Sequence, residues 1–575
     1  MSRTINFLKV LVLFLLILSF SLAANTVNAA NAGSGGVDSI HINQVGYRPE
    51  MTKIVIVNSP EQEVSSFQII DVSTGETVYT SELTGPKFDD ATGDTVYQGD
   101  FSELEEEGQY LIRVDELGES FQFNISDNVY EELRRGLLKA FYYQRCGDEL
   151  LPEYAGEWAQ GPCHLDDAYL WTDQDQYIDT TGGWHDAGDY GKYSGPGANA
   201  VAHLLLSYEL YPEVFTDQLG INESGDQVPD VLNEARFKLE WLLKMQNSEG
   251  GVYHKVTTRN FAGMIKAEDS NAKRYVLPVS SSATGSFAAV MAMASRVYQP
   301  FDEDFSKEML EAAEKSWEWL ENHPNAKHFK NPQGVNTGEY GDWNDRDERY
   351  WAAVELYRLS GEDKYHEPLE QYMKYGGISL TDLGWQNLGG FGTISYLMMD
   401  EELRIEETYD ELKDELLTTA DRLVRNSGYD GYRLAMNNSD YYWGSNGGLM
   451  NKAAILIIAN ELEENQDYID LAASHFHYLL GKNALSQSYV TGYGDKPIMN
   501  PHHRPSEAFD VGVPVPGLVA GGPNKNFQDN TIKAYVSSDT PPARVFVDKM
   551  GSYSTNEITI YWNSPAVFVS TYFAR

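Results

Sequence analysis

Cysteine is nearly absent from this sequence, which has only Cys146 and Cys163 among its 575 residues. The count excludes a disulfide-rich scaffold and allows at most one intrachain disulfide. His164 follows the second cysteine directly, and His185 lies further along the chain. Two thiolates and two imidazoles are also a complete ligand set for a tetrahedral structural Zn²⁺ site. Spacing alone leaves both arrangements open and favours the disulfide.

Basic residues are also scarce, because 43 Lys and Arg stand against 86 Asp and Glu and give a formal net charge of −43. A surface of this sign repels nucleic acid and anionic membranes, so neither is an expected partner. This excess of acidic residues suits a protein that binds a neutral substrate in an extracellular or saline setting. A solvated acidic face that keeps the protein soluble is the simpler explanation, with salt adaptation as the alternative.

Long apolar runs are missing beyond the N-terminus. Arg3 and Lys9 precede an apolar run over 10–24, and small residues follow up to Ala32. This arrangement predicts a signal peptide over 1–32, a flexible linker over 33–38 and a secreted, extracellular protein. The run is short for a membrane span and is interrupted by serine, so no membrane-spanning segment is expected.

Two patterns of apolar residues divide the remaining chain. Over 39–127 the pattern predicts a β-sandwich, with the clearest strands at 53–58, 66–71, 76–79 and 109–114. We expect this domain to support its neighbour rather than to bind sugar. Over 128–575 the spacing is helical, most clearly at 130–145, 199–210, 228–245, 286–297, 305–322, 349–359, 409–425, 449–462 and 468–480. This region is therefore an all-α domain, and its long loops at 146–190 and 486–550 are expected to carry function.

Carboxylates from two distant segments are the main candidates for chemistry. Asp186 and Asp189 lie within the run TGGWHDAGDY, and Glu557 follows the run YSTN near the C-terminus. Hydrolysis of a glycosidic bond needs two carboxyl groups, one to protonate the leaving oxygen and one to activate water or attack carbon. Alone, the aspartate pair would be read as a polar turn or a Ca²⁺ loop. The flanking glycines and aromatics favour catalysis.

Three motifs together resemble glycoside hydrolase family 9, in the branch with an N-terminal immunoglobulin-like domain. They are the 181–190 run, the segment SYVTGYGDKPIMNPHHR over 488–504, and the spacing of Asp548, Tyr553 and Glu557. The resemblance covers nearly the whole chain beyond the signal segment. It implies an immunoglobulin-like β-sandwich over 39–127 followed by an (α/α)6 barrel over 128–575.

The resemblance also implies residue roles. Asp189 would be the general base, Asp186 its water-positioning partner, and Glu557 the general acid. Asp548 would be a further active-site carboxylate. The motif positions His502 and Arg504 would bind sugar hydroxyls, and a metal-binding role for the adjacent histidines is the weaker alternative.

The same resemblance implies bound metals. It favours structural Zn²⁺ on Cys146, Cys163, His164 and His185, which would fix the loop before the aspartates. Oxygen-rich loops are further candidates for structural Ca²⁺, with helix N-terminal acids as the alternative explanation. The calcium candidates are Asp342, Asp345, Asp347 and Glu348 in one loop, and Glu223, Asp226 and Asp230 in the other.

Aromatic residues near the motifs could stack on pyranose rings. The candidates are Trp184, Trp385, Trp443 and Tyr553, with Trp343 and Tyr442 beside them.

The predicted function is that of a secreted, zinc-stabilised, inverting endo-β-1,4-glucanase, acting as a monomer on cellulose or related β-glucan polysaccharides or oligosaccharides. The alternatives are an exo-acting cellodextrinase or β-glucosaminidase on the same scaffold, and a carbohydrate-binding protein without catalysis. The intact carboxylates Asp186, Asp189 and Glu557 oppose the last of these.

Overall fold

A computed structural model describes residues 37–115, 117–216, 218–325 and 328–575. The predicted signal peptide and most of the predicted linker lie outside the described residues. Among the described helices, none combines the length and apolar character needed to cross a membrane.

The N-terminal part is a β-sandwich, as the alternating pattern predicted. Its strands are β1 Ile40–His41, β2 Gly46–Tyr47, β3 Ile54–Asn58, β4 Ser66–Asp71, β5 Thr77–Asp89, β6 Asp94–Asp100, β7 Gly108–Val114 and β8 Gly118–Ile125. The long strand β5 pairs with β4 through its first half and with β6 through its second half. It therefore joins one group, β1-β3-β6, to the other, β4-β7-β8-β2. Apolar residues from both groups form the core between them.

The second part is built from long helices. In chain order they are α1 Glu131–Tyr143, α2 Ser194–Leu210, α3 Asp230–Lys244, α4 Ser281–Tyr298, α5 Glu303–Asn322, α6 Arg346–Ser360, α7 Asp363–Tyr375, α8 Gly389–Leu397, α9 Glu406–Ser427, α10 Ser445–Leu462, α11 Gln466–Leu479 and α12 Ile560–Ala574. Four short strands, β9 Tyr169–Leu170, β10 Lys192–Tyr193, β11 Lys255–Thr257 and β12 Tyr275–Val276, form a small sheet in the order β10-β11-β12-β9.

The helices differ in how much of their surface is buried. Helix α2 buries 13 of its 17 residues, and α4, α8 and α12 are also buried on nearly all sides. Helix α9 buries only 6 of its 22 residues, on one face. A helix that is apolar all round must be surrounded, whereas an amphipathic helix lies at a surface. Helices α2, α4, α8 and α12 are therefore inner helices, whereas α9 lies at the surface.

Three helices differ from the sequence-based expectation. Helices α7 and α8 were not predicted, because Pro368 interrupts the first and three glycines weaken the second. No helix was predicted for the segment after Glu557. It is α12, which carries Pro565 and has no polar stripe because α2 and α10 pack against it.

The β-sandwich contacts the helical part through buried polar groups. Asp94 of β6 accepts hydrogen bonds from the Arg544 guanidinium at 2.7 and 2.8 Å and from the Tyr432 hydroxyl at 2.7 Å. Asp89 accepts a hydrogen bond from the backbone N–H of Gly431 at 2.8 Å. Arg544 lies four residues before Asp548 in the chain. The sandwich thus supports the loop that leads into the segment of Asp548 and Glu557.

Candidate active site

The three motif segments are joined by backbone hydrogen bonds. The Ile560 N–H donates to the carbonyl of Asp186 at 2.9 Å, and the Arg504 N–H donates to the carbonyl of Gly188 at 3.1 Å. The His502 N–H donates to the carbonyl of Asn556 at 2.8 Å. Segments far apart in the sequence therefore form one rigid unit that carries both candidate catalytic groups.

Gln144 holds this unit from behind. Its side-chain amide donates to the carbonyl of Ala187 at 2.9 Å, and its oxygen is 2.9 Å from Nε2 of His503. The backbone N–H of His185 donates to the Gln144 carbonyl at 2.7 Å. Gly188 is required at its position, because a Cβ there would lie 1.8 Å from the carbonyl oxygen of His502. The turn between Asp186 and Asp189 is thus fixed by close packing.

Asp189 and Glu557 have the freest carboxyl groups of the site. Within the described part of the chain, neither side chain has a hydrogen-bond or ion-pair partner. Asp189 is buried, and Glu557 is partly exposed. Burial and the neighbouring Asp189 carboxylate raise the pKa of Glu557 well above its usual value, although Arg504 opposes the shift. A raised pKa favours the protonated form of Glu557, which is the form that a general acid needs.

Asp186 has a different environment, through residues that sequence analysis missed. Its Oδ2 accepts a hydrogen bond from the Tyr340 hydroxyl at 2.7 Å, and Tyr340 is also 3.1 Å from the Tyr561 hydroxyl. Burial raises the pKa of Asp186 to about 7, although the Tyr340 hydrogen bond lowers it. Lys238 is fully buried, and its ammonium lies over the Trp241 ring. The only signal for Tyr340 was its position between glycines before the acidic loop.

Asp548 is held by the protein. Its carboxylate accepts hydrogen bonds from the backbone N–H groups of Met499 and Asn500, each at 2.8 Å, and from the Asn556 amide at 3.0 Å. Asn556 directly precedes Glu557. The contacts of Asp548 therefore position the segment of Glu557 rather than reach towards a substrate.

The two predicted sugar-binding residues lie beside the carboxylates. Nδ1 of His502 is 2.6 Å from the carbonyl of Met550, which orients the imidazole ring. The Arg504 guanidinium donates to the carbonyls of Ala262 and Gly188 at 3.0 and 2.7 Å. Two of the guanidinium nitrogens are therefore engaged in hydrogen bonds to backbone carbonyls.

One predicted aromatic platform was wrong. Trp184 is completely buried, its Nε1 donates to Glu234 at 2.8 Å, and its ring packs on Phe141. It cannot stack on a sugar, because no face of the ring reaches solvent. By contrast, Trp443 is 36% exposed and Tyr553 is 39% exposed, and their ring centroids are 5.5 Å apart.

A cavity of about 480 Å³ adjoins the site. Trp385, Tyr442, Trp443 and Tyr561 contribute to its walls. The Trp385 ring also packs edge-on against Tyr340 at 5.0 Å, so the cavity begins next to the partner of Asp186. Trp343, with 65% of its surface exposed, is not among the lining residues.

The four predicted zinc ligands come together. Cys146, Cys163, His164 and His185 are all buried, and one ligand atom from each lies within 4.8 Å of every other. Both cysteines are free thiols. The two sulfurs are 3.9 Å apart, Cys146 Sγ is 3.6 Å from His164 Nδ1, and Cys163 Sγ is 3.8 Å from His185 Nε2. This is a possible metal-binding site, and the alternative disulfide is not formed.

The two predicted calcium loops differ from each other. Asp342, Asp347 and Glu348 each have a buried carboxylate oxygen without a hydrogen-bond partner, and burial raises the pKa of all three. Asp345 instead pairs with Arg349 at 3.0 Å.

In the second loop, protein groups take the place of a cation. Glu223 binds the Arg145 guanidinium at 2.9 and 3.0 Å. Asp226 accepts from Asn233, and Asp230 accepts from Ser224. The prediction of calcium at this loop is therefore not supported, because its carboxylates already have donors.

Comparison with known proteins agrees with this geometry. Residues 130–570 match the glycosyl hydrolase family 9 description, and residues 37–119 match the cellulase N-terminal ig-like domain. The chain belongs to glycosyl hydrolase family 9. It is therefore a glycoside hydrolase, and the predicted family resemblance is confirmed.

Members of family 9 resemble this chain over most of its length. A cellodextrinase from Butyrivibrio fibrisolvens is 37% identical, and the alignment covers 92% of this chain and 98% of the relative. The crystal structure of a thermostable endoglucanase from Alicyclobacillus acidocaldarius is 36% identical, with a TM-score of 0.88, covering 94% of this chain and 100% of that one. A Zn-binding triple mutant of the family 9 endoglucanase J30 is 34% identical, with a TM-score of 0.85, covering 92% and 99%.

Proposed function

We propose that the protein is a secreted, inverting endo-β-1,4-glucanase that hydrolyses cellulose or related β-glucans. The observation that carries the proposal is the pair Asp189 and Glu557, two carboxyl groups from distant segments that are free of protein hydrogen bonds. Asp189, as the general base, takes a proton from water, and Asp186 orients that water. Glu557 protonates the leaving oxygen. His502 and Arg504 bind hydroxyls of the sugar at the cleavage point.

An exo-acting cellodextrinase is the second candidate, because a relative of that name is 37% identical over nearly its whole length. A product profile on carboxymethylcellulose, cello-oligosaccharides and chitosan oligomers separates the candidates. An endo-acting enzyme lowers the viscosity of carboxymethylcellulose early in the reaction, whereas an exo-acting enzyme releases short products first. Cleavage of chitosan oligomers alone would contradict both.

Inversion predicts the anomeric form of the product. Room for a water molecule requires a separation of roughly 6.5–9.5 Å between the two carboxyl groups. The first product formed from a β-glucan should therefore be the α-anomer. Proton NMR at early times, before mutarotation, measures it, and a β-anomer would rule out the assigned roles.

We infer that the even-numbered and odd-numbered helices close an (α/α)6 barrel. In support, α2 packs against α4, α4 against α6, α6 against α8, α10 against α12, and α12 against α2. This arrangement would place the loops that carry Asp186 and Glu557 on one face.

We also infer that Cys146, Cys163, His164 and His185 hold one structural Zn²⁺. Tetrahedral geometry with Zn–S near 2.3 Å and Zn–N near 2.0–2.1 Å implies about 3.8 Å between sulfurs and about 3.6 Å between sulfur and nitrogen. The observed separations of 3.9, 3.6 and 3.8 Å fit this geometry. Four protein ligands leave no position for substrate, so the ion would stabilise the loop before Asp186. In the first acidic loop, Asp342, Asp347 and Glu348 would hold Ca²⁺.

Removing one zinc ligand should destabilise the protein. The purified protein should contain about one zinc per chain, and Cys163→Ser should lose it, with a lower Tm and a lower kcat. Elemental analysis measures zinc and calcium together, and calorimetry measures the Tm. Native mass spectrometry provides the contrasting outcome, because a Cys146–Cys163 disulfide in metal-free protein would contradict the zinc site.

A further inference from the structure

The cavity of about 480 Å³ beside the active site lies at an opening in the ring of inner helices. Its walls come from the loop 379–387 and from helices α9 and α10. Neighbouring inner helices pack closely around most of the ring, but α8 and α10 do not form such a contact. The cavity lies beside this gap, because α10 and the loop that leads into α8 line it, and its size is typical of a site for a small molecule.

One end of the cavity reaches the catalytic residues. Tyr561 and Trp385 line this end, and both contact Tyr340, which donates its hydroxyl hydrogen bond to Asp186. A sugar chain held at the carboxylates therefore has this cavity next to it. The walls near this end are the exposed rings of Tyr442 and Trp443. Flat aromatic rings suit the apolar faces of pyranose units.

Charged side chains also line the cavity. Arg422 of α9 is exposed, and its guanidinium has no hydrogen bond or ion pair with any described residue. Lys452 of α10 is fixed by Asp440 at 3.2 Å and by the carbonyl of Ala435 at 2.8 Å. An arginine without protein partners has five N–H groups available for hydroxyl oxygens. None of these three side chains lies in the motifs of the catalytic centre.

We propose that Arg422 binds one glucosyl unit of a linear β-1,4-glucan, namely the unit in the cavity that lies farthest from the cleaved bond. Arg422 would thus determine specificity for chain length. The inference rests on the proposed function. Binding energy gained far from the cleaved bond can be used to orient the reacting unit, so it raises the rate for long chains only. A short oligosaccharide does not reach Arg422, so its kcat/KM does not depend on this residue.

Hydrolysis of cello-oligosaccharides of increasing length tests this proposal. We expect kcat/KM of the unaltered protein to rise from cellotriose to cellohexaose. In Arg422→Ala, kcat/KM for the longest substrate should fall about tenfold, as expected for loss of a hydrogen bond from a charged group. The value for the shortest cleaved substrate should stay within about twofold. Arg425→Ala is the matched control, because Arg425 is exposed on the same helix and does not line the cavity.

Three outcomes would overturn the assignment of Arg422. These are an unchanged length profile, an equal loss for every length, and a loss confined to a branched glucan such as xyloglucan. The last outcome would indicate a site for a side chain of the polymer. Failure of the proposed function looks different, since the unaltered protein would then cleave no cello-oligosaccharide of any length.

Discussion

Glu557→Gln should lower kcat on an unactivated glucan by about 10²–10⁴-fold, the usual range for loss of a general acid. Glutamine keeps the shape of the side chain but cannot supply the proton that the leaving oxygen needs. Glu507→Gln is the control, because Glu507 is an exposed glutamate on a neighbouring segment. Near-normal turnover in Glu557→Gln would remove Glu557 from its assigned role.

An aryl glycoside with a good leaving group should restore much of the lost rate in Glu557→Gln, since such a group departs with little protonation. The pH profile should change as well. Burial raises the pKa of Glu557 well above its usual value, so this side chain stays protonated to a higher pH than an ordinary glutamate. The unaltered enzyme should lose activity as the pH rises through this pKa. The variant should lack that alkaline decline.

The stability of the folded protein should depend on pH through the same ionisation of Glu557. The pKa of Glu557 is higher in the folded protein than in the unfolded protein. The stabilisation that Glu557 contributes is therefore fully present when the pH is below the unfolded pKa, and it is lost as the pH rises through the folded pKa. Glutamine does not ionise, so the Glu557→Gln variant does not lose stability in this way at higher pH. We therefore expect its Tm to exceed that of the unaltered protein at alkaline pH, with the difference vanishing below about pH 4. Calorimetry across this range measures the difference.

Asp189→Asn should also lower kcat by about 10²–10⁴-fold, because an amide cannot accept the proton of the attacking water. The binding of substrate should change little, so the effect should fall on kcat rather than on KM. Asp166→Asn is the control, since Asp166 is an exposed aspartate outside the site.

A good leaving group should not rescue Asp189→Asn, in contrast to Glu557→Gln. Leaving-group departure and water activation are separate tasks, and only the first is made easier by an activated substrate. Equal rescue in both variants would mean that the assignment of acid and base is wrong. A small nucleophilic anion such as azide replaces the activated water and should restore some activity to Asp189→Asn alone.

The motif residues could be predicted from the sequence because each is part of a fixed spacing. Asp186, Asp189 and Glu557 meet as expected, and the four residues of the possible metal site do too. The residues that support them could not be predicted. Tyr340 belongs to none of the motifs, and Gln144 acts through backbone groups that only the folded chain brings near.

The errors have a physical basis as well. Trp184 lies inside a catalytic motif, but proximity in sequence does not give exposure, and its ring faces the core. Helix α12 was missed because a helix surrounded on all sides has no polar stripe to reveal its period. The β-sandwich was easier to predict from the sequence, because successive side chains along its strands alternate between core and solvent.

The hydrogen bond from Ile560 to the carbonyl of Asp186 has a consequence for the timing of activity during synthesis. The turn that contains Asp186 and Asp189 leaves the ribosome long before Glu557 and α12 have been translated. During that time the turn lacks the segments that contact it in the folded protein. The centre can assemble only through contacts between residues hundreds of positions apart, which form late in folding. A growing chain should therefore be inactive until its last inner helix has emerged and packed.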